Sequence, residues 1–317
     1  MTLRKILLVF ALLMPFTAWA QAFPNKPVRI IVPYAAGGEH DALGRAIAQR
    51  LSDKWKQPVI IDNRTGGGSV IGTEAVAKAE PDGYTILFTS VGFITNQLTG
   101  QKIPYDSSTF EPSMLVALVP LVLYVNPNVP ARDFKDLVAF AKAKPGVLTF
   151  GSSGVGSSLH LAAELFAADA QTEITHVAYR GGAPAIIDLL AGHMMALWST
   201  PSLMDEVRAG KLRALATASG TRLLSAPEVP TTAELGFPKI AAASWSGFLV
   251  QAKVPAAIKD QIYRDLREAT LSAPLRAQIL KYRYEPATMD QKQYAEFLNE
   301  EVVKWSRVIK ERKLKLE

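Results

Sequence analysis

Val28-Arg29-Ile30-Ile31-Val32-Pro33-Tyr34-Ala35-Ala36-Gly37-Gly38 and Val147-Leu148-Thr149-Phe150-Gly151-Ser152-Ser153-Gly154-Val155-Gly156-Ser157-Ser158 are two versions of one local pattern. Each is an apolar run, a Gly-rich turn, and then helical periodicity. In the first, the β-branched run Val28 to Val32 reads as a buried strand. Pro33 to Gly38 reads as a turn. A helix is predicted from about Asp41, with Leu43, Ile47, Leu51 and Trp55 on one face. Working outward, Val59-Ile60-Ile61 and Thr85 to Thr89 read as strands, and Val70 to Ala79 as a helix. The alternation continues to about residue 220. It predicts an α/β protein with parallel sheet and helices on both faces. Open sheets of this kind take ligands beyond the carboxyl ends of their strands, where both turns fall.

A chain of 317 residues is near the size at which one core stops growing, so two lobes are expected. Leu121 to Val125, before Asn126-Pro127, is one candidate crossing between lobes, and Trp245 to Val250, before Pro255, is the other. Ile258 to Thr270, Ala273 to Lys281 and Asp290 to about Arg312 read as helices. Tyr294, Leu298, Val302, Trp305 and Ile309 line one face of the last.

The first twenty residues have the grammar of an export signal. Arg4 and Lys5 precede an apolar run from Ile6 to Ala18, which ends at Ala18-Trp19-Ala20, a small-x-small cleavage pattern. The run is shorter than the roughly 20 apolar residues of a membrane span, and the polar, Pro-rich Gln21 to Pro27 follows it at once. Residues 1–20 are therefore expected to be removed. Losing Arg4 and Lys5 lowers the net charge from +6 to +4, a mild excess that does not point to nucleic acid. The chain has no cysteine, which excludes disulfides, thiolate metal sites and a Cys-linked lipid anchor.

The second turn carries four serines among its glycines and leads into a helix beginning near Ser157 or Ser158. Glycines permit close backbone approach. A helix N-terminus presents free N–H groups and a positive dipole end. A carboxylate or phosphate fits such a place without Arg or Lys. Known fingerprints fail here by one position each. A phosphate-binding P-loop would need Lys where Ser157 stands. A dinucleotide loop would need a third glycine at Leu159. A nucleophile elbow would need glycine at Val155. In the first turn Asp41 is expected to cap the helix. Tyr179-Arg180-Gly181-Gly182-Ala183-Pro184 is a third turn, with Arg180 expected in solvent. Of the four histidines only His160 has a helical partner, Glu164, and one such pair makes no zinc site.

These residues resemble a known family, the solute receptors of tripartite tricarboxylate transporters, also called Bug-type receptors. The resemblance rests on Phe23-Pro24-x-Lys26-Pro27-Val28-Arg29, Val32-Pro33-Tyr34-x-x-Gly37-Gly38-x-x-Asp41 and Asp62-Asn63-Arg64-x-Gly66-x-Gly68. It continues through Ile71-Gly72, Pro81-Asp82-Gly83-Tyr84-Thr85, Tyr105-Asp106 and Ala141 to Gly146. Gly151-Ser152-x-Gly154-x-Gly156-Ser157, Thr175-His176-Val177-x-Tyr179-x-Gly181, Ala209 to Arg213 and Pro230-Thr231 complete it.

The resemblance implies a type II periplasmic binding protein fold: two doubly wound lobes joined by a hinge, residues 21–123 plus 247–317 in one and 124–246 in the other. It implies a periplasmic receptor with no chemistry and no cofactor. Its expected partners are a small carboxylate and integral membrane transporter subunits, and a monomer is expected. Ligand contacts are expected from Tyr34, Gly37, Gly38, Glu39, His40, Asp41, Ser90, Gly92, Phe93, Ser152, Ser153, Gly156, Ser157, Ser158, Gly182, Ala183 and Thr200.

The chain departs from the family pattern at several places. Glu39-His40 replaces a small residue followed by Ser or Thr, Gly182 replaces Ser or Thr, and Phe93 and Trp198 stand where polar types are common. A ligand with an apolar or aromatic body and one carboxylate is the resulting expectation. Other readings are a ligand sensor for a membrane signalling partner and an exported hydrolase. A DNA-linked effector domain would need a helix-turn-helix where the export signal stands.

Overall fold

A computed structural model of the chain describes residues 23–98 and 103–314. The expected export signal, residues 1–20, lies outside the described residues.

The chain builds two sheets. The first takes β1 (Val28–Val32), β2 (Val59–Asn63), β3 (Thr85–Thr89), β4 (Phe110–Pro120), β10 (Ala243–Gln251) and β11 (Glu285–Pro286), in the order β11-β4-β10-β3-β1-β2. The second takes β5 (Val122–Val125), β6 (Thr149–Ser152), β7 (Thr175–Ala178), β8 (Ala196–Ser199) and β9 (Arg213–Thr217), in the order β7-β6-β8-β5-β9. Helices α1 (Glu39–Trp55), α2 (Val70–Ala77), α3 (Gly92–Leu98), α8 (Ala256–Leu271), α9 (Ala273–Lys281) and α10 (Gln291–Glu311) pack mainly around the first sheet. Helices α4 (Phe134–Ala143), α5 (Ser158–Asp169), α6 (Gly182–Ala191) and α7 (Met204–Arg208) belong with the second.

Parallel pairing holds for β1 with β2 and β3, and for β6 with β7 and β8. The expectation of wholly parallel sheets is corrected at β4, β5 and β10, which pair antiparallel. The physical reason is connectivity. A helical crossover returns the chain parallel to itself, whereas β5 and β10 enter their sheets directly from the other one. The sheet changes fall at Leu121 and between β9 and β10, so β5 and β10 each lie whole in one sheet. The two crossings touch: the Ala218 N–H donates to Leu121 O at 2.8 Å, and the Ala242 N–H to Ala218 O at 3.0 Å.

Helix α10 spans the junction. It packs on β4 and α3 of the first sheet's body and on α5 of the second's. A capping box starts it: Asp290 Oδ1 accepts from Gln293 N–H at 2.8 Å, and Gln293 Oε1 from Asp290 N–H at 2.9 Å. Tyr294, Leu298, Trp305 and Val308 then enter a core that also contains Leu123, Phe150, Phe166 and Trp198. Two ion pairs add to this junction. Arg312 Nε meets Glu164 Oε2 at 2.8 Å. Arg283 Nη2 meets both oxygens of Asp205 at 2.9 and 2.8 Å.

Close approach of α10 to β10 depends on Gly247. A Cβ there would lie 2.2 Å from Tyr294 Oη and 2.7 Å from its Cζ. Tyr294 is fully buried, and a close-packed interior gives its ring little room to move aside. Gly247→Ala is therefore expected to destabilise the fold by about 1–3 kcal/mol, read as a lower urea midpoint with an unchanged slope.

Candidate functional site

The strand ends gather the expected residues in two groups, one per sheet. Tyr34 and Ser90 follow β1 and β3, which are parallel and so end on the same edge. Ser152 ends β6, the turn before α6 follows β7, and Thr200 follows β8, again on one shared edge.

In the first turn the helix begins at Glu39, two residues earlier than predicted, and Gly38 is its N-cap. The expectation that Asp41 caps it is corrected. Asp41 sits within the first helical turn and reaches back, accepting Gly37 N–H at Oδ2 (2.9 Å) and Arg45 Nε–H at the same oxygen (2.9 Å). Burial opposes ionisation of Asp41, but the hydrogen bonds from Arg45 and Gly37 outweigh it and hold the carboxyl below its usual range. Asp41 Oδ1 is buried without a partner among the described residues. Because Gly37 N–H is spent on Asp41, the first-turn donors of α1 at His40 and Asp41 are the ones left for a guest.

His40 is half-buried, with Nε2 3.4 Å from Trp245 O and its ring 4.6 Å from that of Tyr34. Burial pushes its pKa down to about 4. Near neutrality the ring is therefore uncharged and brings no positive charge beside Glu39. The Glu39 side chain lies outside the described residues. Burial likewise pushes Tyr34 up to about 12, with its hydroxyl 3.5 Å from Thr89 Oγ1. Ser90 Oγ lies 3.0 Å from Ser244 Oγ. Gly92 opens α3 so close to the chain that a Cβ would meet Gly68 O at 2.7 Å.

Phe93 and Trp198 are corrected as site-wall residues. Phe93 stands edge-on to Phe110 with centroids 5.5 Å apart, and Trp198 is fully buried. Both belong to the core, so the departure from polar types at these positions reflects packing. The expectation of an apolar or aromatic ligand body loses both residues that motivated it.

The second turn is better furnished, though not as the residue types imply. Ser157 is the N-cap of α5, its Oγ accepting His160 N–H at 3.3 Å. Gly154 N–H donates to Ser152 Oγ at 3.1 Å, and Gly156 N–H to His160 Nδ1 at 3.1 Å. Those two amides are consumed internally, and Gly154 and Gly156 adopt φ of +129° and +75°, which side-chain-bearing residues rarely do. The N–H groups of Ser158 and Leu159 at the helix start remain for a guest, and the turn also carries the hydroxyls of Ser153, Ser157 and Ser158. Gly182 and Ala183 open α6 behind Gly181, whose φ is +117°. Arg180 is exposed, as expected. Thr200 accepts the Tyr124 hydroxyl at its carbonyl (3.1 Å) and places its own Oγ1 2.7 Å from Ser202 Oγ.

Sequence reasoning missed the floor of this turn. His176 Nε2 lies 2.6 Å from Ser152 Oγ, and its ring stacks on His160 at 3.8 Å. Position gives no hint of this, since the two histidines come together only through the register of β6 with β7. The Ser152–His176 contact looks like half of a hydrolytic dyad, but its surroundings do not suit that chemistry. Ser152 is fully buried, its oxygen accepts Gly154 N–H, and it lies 3.0 Å from Gly154 O. Among the described residues there is no cluster of metal-ligating side chains and no helix long and apolar enough to cross a membrane.

Known proteins resemble this chain over most of its length. Residues 43–314 match the tripartite tricarboxylate transporter family receptor model. BugT of Bordetella pertussis is 35% identical over 301 residues, covering 94% of this chain and 92% of BugT. A solved structure of a periplasmic transporter is 34% identical with a TM-score of 0.81, covering 93% of this chain and 100% of that one. The R. palustris protein Rpa4515, solved with adipate, is 32% identical with a TM-score of 0.81, covering 91% of this chain and 97% of its own. With its two mixed sheets and its helix-capped turns, the chain belongs to the tripartite tricarboxylate transporter receptor family, the periplasmic solute-binding receptors, and is a binding protein rather than an enzyme.

Proposed function

We propose that the protein holds a small carboxylate between the strand-end turns of its two sheets and presents it to the membrane subunits of a tripartite tricarboxylate-type transporter. The observation that carries this reading is the start of α5. There the helix starts at Ser158 and Leu159, whose N–H groups have no intrahelical partner, and the same turn supplies the hydroxyls of Ser153, Ser157 and Ser158 and no cationic side chain. Such a site favours an anion through the helix dipole and through charge-assisted hydrogen bonds. The first turn adds the N–H groups of His40 and Asp41. In this reading the described residues from 23 to 120 with 243–314 form one lobe and 122–217 the core of the other, in place of the expected boundaries at 123/124 and 246/247, with the hinge at the paired crossings. The ligand bridges both and draws the lobes together by its preference for the closed form. The receptor is a monomer released after Ala20, which N-terminal sequencing of secreted protein tests directly.

Adipate is the first probe, since it accompanies a relative of 32% identity. Calorimetry is run with adipate, shorter dicarboxylates, citrate, benzoate and the matching diamides. Saturable binding of at least one acid, and none of its amide, is the expected result. Equal binding of acid and amide, or no acid bound at all, refutes the proposal. Ser158→Asp puts a like charge at the helix start and is expected to weaken the best acid by about tenfold or more.

A further inference from the structure

We propose that His160 and His176 form a neutral imidazole latch beneath the 152–158 turn, with His160 as the positioning residue that holds Gly156 and a proton as the agent that releases it. The inference rests on the reading of that turn as the anion site.

The argument begins with hydrogen-bond polarity. An amide N–H can only donate, and Gly156 N–H points at His160 Nδ1 from 3.1 Å. His160 Nδ1 must then carry a lone pair, and the ring's proton sits on Nε2. Nε2 faces Glu164 Oε1 at 3.7 Å. A second proton on this ring would set donor against donor at Gly156 and break the contact. His176 is less demanding. Its Nε2 meets a hydroxyl, Ser152 Oγ, which can accept as well as donate. Ser152 in turn accepts Gly154 N–H. The two rings thus fix the two positive-φ glycines of the turn, one each, and stack on each other at 3.8 Å with planes 19° apart.

The surroundings keep the pair uncharged. Among the described residues the charged groups tied to the pair are Glu164 on the same helix and, through Glu164, Arg312 at the C-cap of α10. Glu164 would attract a proton to His160, but Arg312 Nε already engages its carboxylate at 2.8 Å. His160 and Glu164 are both buried, and burial pushes both histidines down to about 4. Protonating both rings would set like charges face to face at 3.8 Å, so the stack opposes the second proton. The Glu164–Arg312 pair also ties the floor of the turn to the helix that spans the junction.

The test uses the mature full chain. In the ligand-free protein, hydrogen exchange resolved at Gly156 is expected to show protection at pH 6.5 that falls about tenfold by pH 4 after correction for intrinsic rates. His160→Asn offers a non-titrating acceptor near the position of Nδ1. It is expected to keep Gly156 protected at both pH values. His160→Leu is expected to leave it about tenfold less protected at both. Adipate affinity, measured in parallel, is expected to follow: an acid loss in the wild type that is at least halved in His160→Asn. The ligand's own protonation is common to both proteins and cancels in that comparison.

Unchanged protection at Gly156 across the pH range, or the same acid loss of protection in His160→Asn as in the wild type, overturns the latch. If adipate binds neither protein, the carboxylate reading is the one in question, and the exchange measurement still decides the latch.

Discussion

Trp305→Ala is expected to lower the unfolding free energy by about 3–5 kcal/mol, the range for deleting a large aromatic side chain from a close-packed core. Trp305 has no exposed surface, and α10 carries it into the core shared by both sheets. Its loss opens a cavity in that shared core, so the two bodies lose packing together. A second cost is polar. Trp305 Nε1 donates to Glu301 Oε2 at 2.8 Å, and Glu301 is buried. Without the indole, that oxygen loses its donor and Lys304 remains the partner of the other one. Trp305→Phe keeps most of the volume but not the donor, and is expected to cost less than the alanine. Urea unfolding followed by far-UV circular dichroism measures both. Equal stability of Trp305→Ala and the wild type would remove α10 as the structural tie between the sheets.

Acid should weaken the folded protein well before its carboxylates titrate. At pH 7 the His160–His176 pair is neutral in both the folded and the unfolded chain, so its burial carries no titration penalty. Below 6.5 the unfolded chain takes up protons that the folded chain refuses until about pH 4. Stability therefore falls as pH drops through this window, and levels off where the folded rings also charge. For His160, going from 6.5 to about 4 corresponds to roughly 3 kcal/mol. His176 shares the stack, so the two rings are counted as one coupled pair. Half-buried His40 shifts the same way and adds to the loss. Asp41 and Asp205, whose carboxyls are held below the ordinary 3.8, lose their contribution only at lower pH. Denaturation midpoints at pH 6.5 and pH 4 are the measurement. His160→Asn should flatten the curve between them, and a wild-type curve already flat there would contradict the burial of the pair.

The backbone frame of the candidate site was legible because it lies on local pattern. Gly154, Gly156 and Ser157 announce a glycine turn and a helix cap, and both are present. What misled were residues judged by type alone. Phe93 and Trp198 look like ligand walls only if their strand and helix ends face outward, and both side chains pack inward. Asp41 reads as a cap because Asp commonly is one, yet Gly38 takes that place and frees the carboxylate for Gly37 and Arg45. Gly156 N–H looks available to a guest until His160 is seen to hold it.

The sequence by itself determined the alternation of strand and helix, the two glycine turns and the family, because each is written in neighbouring residues through side-chain period, backbone freedom and spacing. The tertiary structure alone decided the antiparallel entry of β5 and β10, the stacking of His160 on His176, and the reach of Arg312 to Glu164. Those depend on which distant segments share a sheet or a core. Pairing of that kind is set by the packing free energy of the whole chain, which no local window of residues contains.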